Sequence, residues 1–87
     1  MKKNGKYVVY EVYWDIDGQV NSFCQTFLSL KKCVDYAERM SNNHPSDTFK
    51  IYRTEYEYLF NMWLEDTRLI WVCNKKHKIF EVREYLK

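Results

Sequence analysis

From Tyr7 to Ile16 the chain reads YVVYEVYWDI. Val8, Tyr10, Val12, Trp14 and Ile16 therefore fall on one side of an extended backbone, and Tyr7, Val9, Glu11, Tyr13 and Asp15 on the other. Alternation of this length argues against a helix, whose apolar positions recur at three and four residues, and predicts a strand with one strongly apolar face. Asp17-Gly18 follows at once, and both residue types tolerate the positive φ of a type I′ turn, so Gln19 to Leu28 is predicted to return as the second arm of a hairpin. With Asp17-Gly18 as a two-residue loop, Val12 faces Phe23 and Val8 faces Phe27. Both phenylalanines then join the Val8/Tyr10/Val12/Trp14 face. A three-residue loop, Ile16-Asp17-Gly18, would put Val20, Ser22, Cys24 and Thr26 there instead and gather less apolar area.

The next segment changes period. Ser29 has the character of an N-cap, and Leu30, Cys33, Val34, Ala37 and Met40 form a helical stripe, with Asp35 and Arg39 spaced as an i,i+4 pair outside it. The helix is predicted over 30–41, ending at Ser41-Asn42-Asn43 because Asn accepts left-handed geometry and His44 precedes Pro45. Thr48 to Thr54 reads as a third strand with Phe49 and Ile51 on one side. Beyond it two periods compete. Thr54 to Glu57 has capping-box spacing, and Tyr56, Leu59, Phe60, Trp63 and Leu64 make an i, i+3, i+4, i+7, i+8 stripe, the basis for a second helix over 55–66. Tyr52, Thr54, Tyr56, Tyr58 and Phe60 also alternate with Arg53, Glu55, Glu57 and Leu59, as a strand would. The helical stripe is carried forward and the strand stays open. Arg68 to Cys73 and Lys78 to Tyr85 are two further strands, and a turn centred on Lys75-Lys76 pairs Trp71 with Phe80 and Leu69 with Val82. The expected fold is α+β: a small antiparallel or mixed sheet of about five strands, β-β-α-β-(α)-β-β, with one or two helices on one face.

At 87 residues there is room for one core, and the chain reads as a single domain, 1–87, with a basic tail over 1–6. The apolar fraction of 46% suits a folded chain, and no apolar run is long enough to span a bilayer, so no membrane is expected. Three cysteines, Cys24, Cys33 and Cys73, without tight spacing or a leader, imply reduced thiols and a cytoplasmic setting, as a monomer or homodimer. Residues 1–6 carry +3 and residues 68–87 +4, whereas 7–46 and 47–67 carry −2 and −3. The ends are basic and the middle acidic.

Candidate chemistry is thin. Asp15-Ile16-Asp17-Gly18 superficially resembles the nucleophile motif of haloacid-dehalogenase-type phosphatases, but that chemistry needs a strand-to-helix crossover and a second acidic pair for Mg²⁺, and here a strand returns immediately. Read as a calcium loop, the same stretch has Thr26 where the twelfth-position Glu belongs. Cys73 and His77 stand at C-x3-H spacing without any C-x2-C knuckle, so neither zinc nor another cofactor is expected. No local signature accompanies a nucleophilic cysteine, and the chain is read as non-catalytic. Lys2, Lys3 and Lys6 with Lys75, Lys76 and Lys78 could contact phosphates while sheet aromatics stack on bases, which makes nucleic acid the alternative partner. The consensus of aromatic RNA-binding strands, a GxxG loop and an Arg/Lys-rich helix are all missing from the sequence.

What remains is a surplus of aromatic side chains, eight Tyr, five Phe and three Trp, more than so small a core accepts. Exposed Tyr and Trp flanked by charge are what a protein-binding surface uses. Tyr52, Glu55, Tyr56, Glu57 and Tyr58 are the candidate partner-binding residues, an acidic and aromatic stretch suited to a basic groove on another protein, including one that handles nucleic acid. The profile is similar to that of small stand-alone inhibitors encoded by phages and mobile elements, including anti-CRISPR proteins. That likeness implies inhibition of a host defence or nucleic-acid-handling protein.

Overall fold

The computed structural model describes residues 5–16 and 22–82. Five strands form one open antiparallel sheet in the order β2-β1-β3-β4-β5. These are β1 (Lys6–Asp15), β2 (Ser22–Phe27), β3 (Thr48–Leu59), β4 (Met62–Asn74) and β5 (Ile79–Val82), with helix α1 (Leu30–Asn43) between β2 and β3. The fold is therefore α+β with one helix on one face of the sheet. Lys6, assigned to the tail by its charge, opens β1. Among the described residues no helix is long and apolar enough to cross a membrane.

The helix forms where its stripe predicts. Ser29 caps it, its hydroxyl accepting from the Lys32 amide at 3.4 Å, and it ends with the His44 amide donating to the Met40 carbonyl at 2.9 Å. Cys33, Ala37 and Ser41, at i, i+4 and i+8, are buried against Val12, Phe49, Ile51, Ile70, Trp71 and Cys73 of the sheet. Asp35 pairs with Lys31 at 3.4 Å, not with Arg39, whose guanidinium lies 5.7 Å from the centre of the Tyr36 ring. Trp14 closes one end of the core, stacked on Phe49 at 5.6 Å with its indole N–H donating to Asp47 at 2.9 Å.

Both thiols in the core are structural. Burial pushes the Cys33 thiol up to about 12, and the buried Cys73 Sγ lies 3.3 Å from the Ser41 hydroxyl, whereas His77 is exposed. Thiol labelling of the native protein should reach the half-buried Cys24 first, while Cys33 and Cys73 react only at the rate of unfolding. Equal labelling of all three in native buffer would contradict this core.

Three expectations are corrected. Residues 55–66 are two strands and a turn, not a helix. β3 and β4 pair from Phe49↔Cys73 to Leu59↔Met62, and Phe60 and Asn61 turn the chain with φ of 50° and 62°. The stripe of Tyr56, Leu59, Phe60, Trp63 and Leu64 would have needed a surface to bury it, and α1 already occupies the covered face at the other end of the sheet. Cross-strand pairing of β-favouring Tyr, Thr and Trp wins instead.

Second, the first hairpin keeps its strands but not its register. Phe27 faces Tyr10, and a bulge at Val12/Tyr13 shifts Phe23 to face Tyr13, which sends Phe23 to the side opposite the helix. The Asp17-Gly18 turn itself lies outside the described residues. Third, the last hairpin turns one residue later than predicted, centred on Lys76-His77, which shifts the pairing by two, with Cys73 facing Phe80 and Trp71 facing Val82. The buried Asn74 sets that register: its Oδ1 accepts from the His77 amide at 3.0 Å, and its Nδ2 donates to Thr48 Oγ1 at 2.8 Å. The Lys76 amide donates to the Pro45 carbonyl at 2.8 Å, which ties the loop to the start of β3. Asn74→Ala leaves these partners unmatched, and the expected loss is about 2 kcal/mol in chemical denaturation. A loss under about 0.5 kcal/mol would mean that the loop is held by other contacts.

Candidate aromatic interface

Strand alternation and register decide which side chains share a surface. On the side of the sheet away from α1, β1 presents Tyr7, Val9, Glu11 and Tyr13, β3 presents Tyr52, Thr54, Tyr56 and Tyr58, and β4 presents Trp63, Glu65, Thr67 and Leu69. Among the described residues nothing covers this side. Its aromatic rings form two groups. At one end Tyr7 stacks on Tyr56 at 5.1 Å and meets Trp63 edge-on at 5.7 Å, and Trp63 reaches Tyr58 at 5.1 Å. At the other, Tyr13 meets Tyr52 at 5.1 Å and Phe23 at 5.7 Å, both edge-on.

Between the groups lies a polar chain. The buried Thr54 hydroxyl donates to Glu11 Oε1 at 3.3 Å, which leaves it to accept from Thr67 at 3.0 Å. Carboxylates give this side negative character. The Tyr56 phenol is raised above its ordinary value by desolvation, then by Glu65 and Glu11. The Tyr13 phenol is raised by burial and then by Glu11.

The first aromatic group sits on a projecting part of the sheet. Among the described residues β2 pairs with β1 no further than Tyr10, and β5 pairs with β4 only from Trp71 to Asn74. Lys6–Val9, Thr54–Leu59 and Met62–Thr67 therefore make a three-stranded blade beyond the helix, in a molecule 47 Å long and 26 Å wide. Every β4 residue from Met62 to Arg68 is exposed. At the tip Phe60 is 89% exposed, followed by Met62 at 58% and Trp63 at 56%. Phe60 also holds a φ of 50°, a region that disfavours a non-glycine residue by roughly 1–2 kcal/mol. It therefore costs stability and buries almost nothing in this chain.

The residues singled out in the sequence are divided by the strand. Tyr52, Tyr56 and Tyr58 lie on the aromatic side, and Tyr56 and Tyr58 belong to the blade group. Glu55 and Glu57 lie on the other side, where they border a shallow depression with Leu64 and Asp66. Glu55 is bridged by Lys6 and Arg53, both at 3.5 Å. Lys75, Lys76 and Lys78 are exposed together in the β4–β5 loop, at the Thr48 end of the sheet. Lys6 is at the opposite end, about 30 Å away by strand rise, and Lys2 and Lys3 lie outside the described residues.

Sequence reading missed Tyr7, Phe60, Met62 and Trp63 as surface residues. The Tyr52-Thr54-Tyr56-Tyr58 alternation was the signal that would have exposed them. Comparison of the chain with protein families, curated proteins and solved structures finds no match.

Proposed function

We propose that this protein is a small non-catalytic binding module that engages another protein through the tip and aromatic side of the β1-β3-β4 blade. The observation that carries this reading is Phe60, a large apolar residue held at positive φ and almost wholly exposed. Strain kept where it stabilises nothing in the isolated fold points to a role outside it. Met62 and Trp63 follow it into β4, and Trp63 meets the Tyr7 ring edge-on, which supplies amphipathic anchors of the kind that dominate protein interfaces. The blade rings lean on one another, edge to face and stacked, so they present edges and tips more than the free flat faces that base stacking requires. Glu11 and Glu65 on the same side suit a partner whose apolar pocket is bordered by Lys or Arg. Inhibition of a nucleic-acid-handling or defence protein, by occupying its basic groove, is the form of this function that charge and composition support.

A non-catalytic role is supported by where the candidate groups lie. His44 packs 4.6 Å from Trp14 and 6.4 Å from Phe49, and the Cys33 thiol is buried with its proton held. The second reading, nucleic-acid binding, is favoured by the exposed Lys75-Lys76-Lys78 loop. Affinity capture from a nuclease-treated bacterial lysate separates the two. The expected result is a protein partner retained by the wild type, lost with Tyr56→Ala/Tyr58→Ala and reduced with Glu55→Lys/Glu57→Lys, with circular dichroism unchanged. A salt-dependent gel shift abolished by neutralising Lys75, Lys76 and Lys78, with no protein captured, would establish the second reading instead.

A further inference from the structure

We infer that the depression where the polar chain meets the Tyr13/Tyr52 pair, lined by Glu11, Tyr13, Tyr52 and Thr67, receives one lysine side chain of the partner protein. That this lysine belongs to a protein rests on the binding role proposed above; the selectivity of the depression for an ammonium group does not. At about 250 Å³ it is smaller than the roughly 300–1,000 Å³ sites that hold drug-sized ligands, and it suits the end of a single side chain.

The hydrogen-bond chain decides what kind of group fits. A carboxylate only accepts, so the Thr54 proton is directed to Glu11 Oε1 and the Thr67 proton to Thr54. Both hydroxyl protons are thereby engaged within the sheet, and what remains is the lone pairs of Thr67 Oγ1 and of Glu11 Oε2. Among the described residues Oε2 accepts no side-chain hydrogen bond, and no buried side-chain oxygen there lacks a partner, so Oε2 is reached from outside. The site offers acceptors and a negative charge. An anion is repelled by it, and a neutral acceptor finds no hydroxyl proton of the chain to pair with.

The chain's own described cations leave that charge unanswered. Glu11 enters no ion pair among the described residues, and the lysine nearest to it in register on this side, Lys50 opposite Tyr13, is held by Asp15 at 3.5 Å. Tyr52 stands directly opposite Glu11, and Tyr13 lies two residues along the same face, with the two rings at 86° to each other. Aromatic rings beside a carboxylate add a cation–π contribution for a cation within about 6 Å of a ring centre. The oxygens also separate ammonium from guanidinium. A bidentate guanidinium uses both carboxylate oxygens, and Thr54 already engages Oε1, whereas an ammonium takes Oε2 and Thr67 Oγ1 with two of its three donors.

The test is NMR titration of the isotope-labelled protein at low salt with Nα-acetyl-lysine methylamide, beside its norleucine and arginine analogues. The lysine probe should shift signals centred on Glu11, Tyr13, Tyr52 and Thr67, the uncharged norleucine probe should shift none of them, and the arginine probe should bind more weakly. Glu11→Gln keeps an acceptor for Thr54 and should weaken the lysine probe about tenfold, the effect of losing a charge-assisted hydrogen bond. Tyr52→Leu should weaken it roughly two- to fivefold. Glu65→Gln, on the same side but outside the depression, should leave it unchanged. Affinity for the captured partner should fall with Glu11→Gln as the probe's does, whereas the Tyr56→Ala/Tyr58→Ala variant tests the binding role without touching this site. Equal binding of the norleucine or arginine probe, or a lysine probe indifferent to Glu11→Gln, would overturn the ammonium site. A partner indifferent to Glu11→Gln, or probe binding that appears only once Lys2, Lys3 and Lys87 of the chain are replaced by Gln, would overturn the assignment of the lysine to the partner.

Discussion

Trp71→Ala is expected to leave a large share of the protein unfolded at 25 °C. Trp71 is the largest fully buried side chain, 1% exposed, facing Ile51 across the β3–β4 ladder and meeting the Phe80 ring edge-on at 6.0 Å. Truncating a buried Trp costs about 3–5 kcal/mol, from lost transfer energy and the cavity left behind. A chain this size has a total stability near the lower end of the roughly 5–15 kcal/mol range, so the loss approaches the whole. Among the described residues the core is one helix on one sheet, with no second layer to collapse into the space. Chemical denaturation should show a native baseline that is short or missing. A variant that unfolds with a midpoint near the wild type's would mean that Trp71 is not central to the core.

Phe60→Asn is expected to move two measured quantities in opposite directions. Asn is far better suited than Phe to φ of 50°, and Phe60 gives up almost no buried area, so stability should rise by about 1 kcal/mol. Affinity for the protein partner should fall by about 2 kcal/mol or more, roughly 30-fold, the effect of removing a central apolar anchor. Trp63→Ala should weaken binding as much while leaving stability within about 1 kcal/mol, because Trp63 is more than half exposed. A Phe60→Asn variant that is both less stable and fully active in binding would place Phe60 in the fold and take it out of the interface.

The parts of the fold that were legible in the sequence are those with one dominant period. Tyr7–Ile16 and Leu30–Met40 each show a single pattern, and each forms the element that its pattern predicts. Residues 55–66 carry both periods, because Tyr56, Leu59, Phe60 and Trp63 satisfy a helical stripe and Tyr52 to Tyr58 satisfy a strand. Only tertiary context decides between them, since the helix would need a free sheet face and the strand needs only β4. That ambiguity hid the blade, and with it the exposure of Phe60, Met62 and Trp63.

Register was less legible than element type. The bulge at Val12/Tyr13 and the fixing of the last loop by Asn74 depend on contacts with distant residues, Thr48 and Pro45 among them, that local spacing does not encode. The aromatic character of Tyr52, Tyr56 and Tyr58 could be read directly. The side on which Glu55 and Glu57 lie followed only once the segment was known to be a strand.

Hydrogen–deuterium exchange on the complex with the captured partner tests the proposed interface most directly. Binding through the blade predicts slowed exchange at Lys6–Val9, at Thr54–Leu59 and at Met62–Thr67, and no change in the Lys75–Lys78 loop. Protection confined to the Lys75–Lys78 loop, with the blade exchanging as in the free protein, would contradict it.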